Sequence, residues 1–355
     1  MARPFVSVLI DTYNHERFIE QAVSSVLEQD FPESDREIIV VDDGSTDRTP
    51  EILRKFESQL RVIRKANGGQ ASAFNAGIPE CRGEIVAFLD GDDWWAKGKL
   101  ATVVSVLSKD PECGIVGHGI ANAFEDKTRM VDALPRAERL RISSSSSARV
   151  FRLRKSYLGT SRMTLRKAIA TRILPVPETL VIEADEYLFT LASVLSHVVI
   201  LPDVLTEYRQ HGRNLYNAAG GTTQGLRRKQ GVLGALGKAL RRELPLRGVP
   251  DDAVGCICEI IEVEARQLWL MLEGGKPWET VRTESAIYQI MHGDAPARHR
   301  MFRMITMIAA GLLPPRWFYA IRGWITARGF YKRLRKDLFP VPGITQVAEA
   351  KEQGT

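Results

Sequence analysis

Residues 88–95 read FLDGDDWW and set Asp90, Asp92 and Asp93 within four positions, after an apolar run and before two tryptophans. Three carboxylates so close repel one another unless water, a cation or a chemical role holds them together. An Asp-x-Asp pair with a third acid, on a tight glycine turn, suits Mg2+ or Mn2+. These hard cations take oxygen ligands and leave positions for phosphate and water. An ion bridging two phosphates neutralises the charge that builds on a departing diphosphate. Trp94 and Trp95 either anchor this loop in the core or wall a substrate pocket.

Two other polar clusters stand at equivalent places. Asp11-Thr12-Tyr13-Asn14 follows the apolar run VSVLI (6–10), and Asp42-Asp43-Gly44-Ser45 follows EIIVV (37–41). Each alone reads as turn chemistry. Three at the carboxyl ends of buried strands mark a site, because open α/β sheets bind ligands at that edge.

The elements that must position these clusters follow from periodicity. VSVLI, EIIVV, RVI (61–63), EIVAFL (84–89) and CGIVGHG (113–119) are short apolar runs that read as strands. Phe18, Ile19, Ala22, Val23, Val26 and Leu27 recur at helical spacing, with Asn14 placed as an N-cap. Strands alternating with helices predict an α/β fold with a mostly parallel sheet covered on both faces. After about residue 120 the pattern loosens. Ser143–Ser147 reads as an exposed polyserine loop, 182–195 as an amphipathic helix with an acidic start, and 198–212 as one or two strands. Beyond about residue 220 the chain reads as helical.

Composition bounds the rest. The 355 residues are 44% hydrophobic and 26% charged, with a formal net charge of +6. The four cysteines lack CxxC spacing and read as reduced, buried thiols rather than a zinc site. The N-terminal apolar run is too short for a signal peptide. The longest one elsewhere, Met304 to Leu313, is about half of the ~20 residues that span a bilayer. A cytoplasmic chain is the expectation.

The stretches SVLIDTYNHERFIEQAVSSVLEQ, EIIVVDDGSTDRT, NGGQASAFNAGI and GEIVAFLDGDDWW, in that order, resemble the N-terminal half of family 2 glycosyltransferases. These are inverting enzymes of the GT-A fold that use nucleotide-diphosphate sugars. GTSRMTLRK (159–167), ADEYL (184–188) and YRQHGRN (208–214) resemble the family's later motifs, so the likeness extends to about residue 215. It implies a GT-A catalytic domain over 1–215, with a nucleotide-binding half (1–100) and an acceptor half (101–215), and a helical region over 216–355.

Carried across position by position, the resemblance implies that Thr12, Tyr13 and Asn14 line the nucleotide pocket. Asp43, with Asp42, faces the base, while Gly68, Gly69 and Asn75 lie along the nucleotide. Asp90 contacts the ribose, Asp92 the metal, and Asp93 the sugar or its supports; Trp94 and Arg162 join the substrate site. Phe74 stands where many members carry arginine. Inversion needs a carboxylate opposite the diphosphate to take the acceptor proton, as in an inverting glycosidase. Glu183, Asp185 and Glu186 are candidates, Asp185 ahead of Glu186, although acids at a helix start also answer its dipole. His211 resembles a histidine that closes on the metal or diphosphate. Lone histidines are more often structural, and His15 and His118 are read that way. Arg162 and Arg166 are either diphosphate or acceptor contacts, or solvated charge.

The implied partners are a nucleotide-diphosphate sugar and a glycan or lipid-linked acceptor, with Mn2+ or Mg2+ as cofactor. From Ala295 to Lys336 there is no Asp or Glu, while ten arginines and lysines alternate with Trp, Phe, Tyr and Met. This segment, 296–336, reads either as an anionic membrane surface binder, placing the chain on the inner face of the membrane, or as packed helices with a solvated basic side. No nucleic-acid reader motif is present. A nucleotidyl or phosphoryl transferase also uses acidic metal sites, but GxxxxGK[ST] is absent. An inactive nucleotide-sugar-binding partner subunit is the non-enzymatic alternative.

Overall fold

The computed structural model describes residues 5–211, 222–292 and 297–327. Among these the chain divides into two compact units, one built from 5–142 and 154–211, the other from 143–153 and 222–327.

The first unit is a mixed sheet. Strands β1 (Val6–Thr12), β2 (Arg36–Asp42), β3 (Arg61–Arg64) and β4 (Ile85–Asp90) run parallel in the order β3-β2-β1-β4. The sheet continues through β9 (Thr164–Arg166), β6 (Cys113–Phe124), β10 (His197–Gln210) and β5 (Trp94–Trp95). Short β7 (Arg129–Asp132) and β8 (Glu138–Leu140) pair with β6 and β10. β9 is antiparallel to both its neighbours, and the parallel pairs of the mostly parallel sheet expected lie in β1–β4 and between β6 and β10.

The apolar runs are continuous because both faces of β1, β2 and β4 are covered; Val8, Leu9 and Ile10 are all buried. Helix α1 (Ile19–Leu27) buries Ile19, Ala22, Val23 and Val26. Helix α4 (Lys99–Lys109) buries Leu100, Val103, Val104 and Leu107 in the same core cluster. Each such side chain contributes about 1.5–3 kcal/mol by leaving water. Helices α2 (Thr49–Arg54) and α3 (Gln70–Glu80) fill the other crossovers.

Two local expectations are corrected. Asn14 does not cap α1: the residue before the helix is Phe18, with no side-chain cap. The polyserine segment is a loop only at Ser143 and Ser144; Ser145–Ser147 open helix α5 (Ser145–Arg154), where Ser144 and Ser147 exchange side-chain and backbone hydrogen bonds across the first turn. Of the one or two strands expected after residue 197, there is one, β10, with register shifts between Leu201 and Thr206. Thr206 and Glu207 pair with Trp95 and Trp94 on one side and with Ile120 and Ala121 of β6 on the other. Helices α6 (Lys167–Ile173) and α7 (Ala184–Leu195) complete this unit.

The second unit is helical, as expected beyond residue 220. It holds α8 (Thr223–Leu246), α9 (Asp251–Glu273), α10 (Pro277–His292), α11 (Ala297–Leu312) and α12 (Pro315–Ala327). The Thr222 hydroxyl accepts from Gly225 N at 3.0 Å and caps α8. Leu233, Leu236, Leu240 and Leu244 form its buried stripe. Arg152 ties α5 into this unit by donating to the Ile290 carbonyl at 2.8 Å. Among the described residues no helix is long and apolar enough to cross a membrane.

Candidate active site

Parallel register brings the acids to one edge. Asp11 pairs with Asp90 across β1 and β4, and Thr12 pairs with Asp42 across β1 and β2. Gly91 turns the chain immediately after β4. A Cβ there would stand 2.6 Å from Thr12 Oγ1 and 2.8 Å from His15 Nδ1, so the acidic loop needs glycine at this place. Asp11 Oδ1 and Asp93 Oδ2 are buried without a hydrogen-bond partner. Burial, and then the Asp92 charge, pushes Asp11 up to about 8. Burial likewise raises Asp90 and Asp93, with Asp11 and Asp92 as the next causes respectively.

Asp92 is the exception. Burial alone would raise it, but His211 and the nearby His15 hold its carboxyl below the usual range. His211 Nε2 lies 3.0 Å from Asp92 Oδ2, and His15 Nε2 lies 3.9 Å from the same oxygen. The His211 ring packs on Phe18 at 4.7 Å. Two residues earlier, Arg209 binds the acidic loop from the same strand end. Its N–H donates to Asp93 Oδ1 at 2.9 Å and its Nε to the Asp92 carbonyl at 2.9 Å. Its guanidinium lies over Trp94 and Phe18, at 4.4 and 4.7 Å from the ring centres. Trp94 is half-buried and Trp95 is buried.

The residues expected along the nucleotide fall into two sets. Tyr13 is exposed beside buried Thr12, whose Oγ1 is 3.2 Å from His15 Nδ1. Asn14, at φ 56°, links the loops after β1 and β2: its Oδ1 accepts from Thr46 N at 2.8 Å, and its N–H donates to Ser45 Oγ at 2.9 Å. Asp42 Oδ1 accepts from Ser45 N at 2.9 Å. The Asp43 carboxylate accepts from Gly68 N at 3.0 Å, Gly69 N at 2.7 Å and Lys65 Nζ at 2.5 Å. It thereby shapes the NGG turn, where Gly69 has φ +80° and no room for a Cβ beside Val181. Asn75 points elsewhere, its amide exchanging two 2.8 Å hydrogen bonds with the Val176 backbone.

On the opposite side, α7 presents its acids. Asp185 Oδ2 accepts from Thr160 N at 3.0 Å and Thr160 Oγ1 at 3.1 Å; burial raises its pKa against those bonds. Glu186 instead takes Lys155 Nζ at 2.5 Å. Glu183 sits just before the helix at φ 59°. Gln70 spans the site, donating to Thr160 Oγ1 at 2.9 Å and accepting from Ala184 N at 2.8 Å. Arg162 is 3.5 Å from Asp132, with Nη1 buried and unpartnered. Arg166 is committed to the Leu107 and Cys113 carbonyls. Phe74 is fully buried, edge-on to Phe88 at 5.4 Å.

Sequence reasoning missed the cation beneath the acids. Lys99 is wholly buried, donates to the Ser161 carbonyl at 2.6 Å and lies 3.8 Å from the Trp95 ring centre. Burial lowers its pKa well below the lysine range, although Asp93 and Asp90 pull it up. Ser161 in turn donates to Asp90 Oδ2 at 3.1 Å. No local pattern marks Lys99. Asp11 was legible as part of the polar cluster after the first apolar run, but its pairing with Asp90 was not.

Comparison with known proteins agrees with this architecture. The profile of the family described as "Glycosyl transferase family 2" matches residues 7–172. An uncharacterised glycosyltransferase from Nostoc sp. is 32% identical over 225 residues, covering 61% of this chain and 68% of that one. TuaG of Bacillus subtilis, a putative teichuronic acid biosynthesis glycosyltransferase, is 43% identical over 102 residues, covering 28% of this chain and 40% of that one. Residues 1–349 of TarS from Staphylococcus aureus, solved with UDP-GlcNAc, superpose with a TM-score of 0.51 at 17% identity, over 86% of this chain and 90% of that one. The chain belongs to glycosyl transferase family 2. Its α/β unit has the fold of the glycosyltransferase TarS, the GT-A architecture expected from sequence.

Proposed function

We propose that the chain moves a sugar from a nucleotide-diphosphate donor to a hydroxyl acceptor, with inversion at the anomeric carbon, in the synthesis of a polysaccharide or cell-surface glycan. The observation that carries this reading is the convergence of Asp90, Asp92 and His211 with Asp185 at one sheet edge. TuaG's name supports the glycan context.

Asp92 and His211 fit a divalent ion. One carboxylate oxygen and one imidazole nitrogen already meet, and Asp11 Oδ1 is buried nearby without a partner. Among the described residues no three such side chains form a closed metal cage. One carboxylate and one imidazole leave positions for phosphate and water, as Mg2+ or Mn2+ requires. When bound, the ion supplies positive charge to the leaving diphosphate.

The chain's own residues do the rest. The loops after β1 and β2, with the Gly68-Gly69 turn, hold the nucleotide, and Asp90 faces its ribose. Asp93 and Trp94 border the sugar, and Arg162 with its unpartnered Nη1 faces the acceptor side. Asp185 takes the acceptor proton. Its burial strengthens it as a base, while Glu186 is neutralised by Lys155. Four free cysteines support a reducing, cytoplasmic setting. The test is release of nucleoside diphosphate from a panel of UDP-, GDP- and dTDP-sugars with Mn2+ and Mg2+. Release from one donor, lost in Asp92→Asn, supports the reading; no release from any donor, with or without metal, removes it.

A further inference from the structure

Helices α11 and α12 are joined only by Leu313 and Pro314, and each turns a hydrophobic stripe outward. On α11, Met304, Ile305, Ile308 and Leu312 are exposed, Leu312 to 76%. Their spacing places them on one side of a 3.6-residue helix, opposite buried Ala310. On α12, Trp317, Ile321, Trp324 and Ile325 are exposed, the tryptophans to 67% and 58%, while Phe318 and Tyr319 face the unit's core. Both helices are thus apolar on two sides. Of the thirteen exposed residues between 303 and 325, only Arg316 is charged and none is acidic.

Isolated exposed hydrophobics need no explanation, but consecutive ones in this number mark an interaction surface. The flanking chemistry says what covers it. No acid occurs from Ala295 to Lys336, and Arg328, Lys332, Arg333, Arg335 and Lys336, which lie outside the described residues, follow α12 directly in sequence. A protein interface sets an apolar centre within a polar rim. Here tryptophan and branched aliphatic side chains are followed in sequence by a run of basic residues, the composition that settles at lipid headgroup depth against anionic lipid. Neither helix is long and apolar enough to cross a bilayer, so a lipid surface would take them in its interface.

We infer that α11 and α12 dock this protein on an anionic membrane surface through the Met304–Leu312 and Trp317–Ile325 stripes. Arg303 and Arg322 are not the lipid contacts, because they are engaged within the unit: Arg303 over Tyr288 at 4.8 Å and Arg322 on Glu284 at 2.5 Å.

The test is flotation of the full chain with vesicles of phosphatidylcholine alone or mixed with phosphatidylglycerol, at low and physiological salt. The expected result is binding to the phosphatidylglycerol vesicles, weakened by salt, with a blue shift of tryptophan emission. Trp317→Ser/Trp324→Ser and, separately, Ile308→Ser/Leu312→Ser should each lower partitioning about tenfold or more while nucleoside diphosphate release in solution and far-UV circular dichroism stay unchanged. Absence of binding to phosphatidylglycerol vesicles at low salt overturns the inference. So does self-association in light scattering that these substitutions abolish without any vesicle binding, which would make the stripes a contact between copies of the chain.

Discussion

His211 Nε2 and Asp92 Oδ2 lie 3.0 Å apart although 119 residues separate them. The end of β10 delivers the imidazole, and the turn after β4 delivers the carboxylate. Asp92→Asn should leave His211 an acceptor in the amide while relieving repulsion on Asp11 and Asp93. Sugar-nucleotide turnover is expected to fall by roughly a hundredfold or more, while the thermal midpoint drops only by the equivalent of about 1 kcal/mol, because the folded state favours the ionised carboxyl. A variant that no longer folds would show Asp92 to be a structural acid.

His211→Ala removes one donor and leaves the carboxylates. The Mn2+ concentration for half-maximal turnover should rise about 10–100-fold, with activity recovering at saturating ion. Titration of nucleoside diphosphate release against Mn2+ checks this, and an unchanged midpoint refutes it.

Asp185 and Glu186 are adjacent but differently engaged, on Thr160 and Lys155 respectively. Asp185→Asn should abolish transfer, by at least about a hundredfold for loss of a general base, while nucleotide binding by calorimetry persists. Glu186→Gln should alter turnover only a few-fold. The reverse pattern would move the base to Glu186.

Lys99 is buried close to Asp90 and Asp93, with its Nζ donating to the Ser161 carbonyl. Lys99→Met removes that buried hydrogen bond and should cost about 1 kcal/mol in denaturant unfolding. A cost under about 0.5 kcal/mol would mean that the Thr206 hydroxyl satisfies the carbonyl alone.

Asp47 gives a pH signature. Burial pushes its carboxyl up, but hydrogen bonds from Thr49 and the Glu16 N–H more than offset this, and its pKa is depressed. A depressed folded value stabilises above the unfolded pKa near 3.9 and is lost as pH falls through the folded one. Asp47→Asn should cost about 1 kcal/mol at neutral pH, and its unfolding curve should converge on that of the parent protein below about pH 4.

Strand identity and the placement of acids at strand ends were legible because apolar runs and turn residues are local signals. β1 through β4 and the acidic start of α7 follow from them. Arg209 and Lys99 were not legible: each binds the acidic loop through contacts that depend on sheet order rather than spacing. The sheet's mixed character was hidden for the same reason, since three-residue β9 carries too little pattern to reveal its direction. Serines gave a false loop signal at 145–147, because hydroxyls that compete with a helix in its interior serve it at its first turn.

Asn14 fastens the loop after β1 to the loop after β2 through the Ser45 hydroxyl and the Thr46 N–H. A nucleotide bound as proposed would meet segments already immobilised against each other, and the ordering penalty would fall on folding rather than on capture. Association should then be a single second-order event: stopped-flow traces with one phase, whose observed rate climbs linearly with nucleotide concentration and shows no plateau from a slow isomerisation.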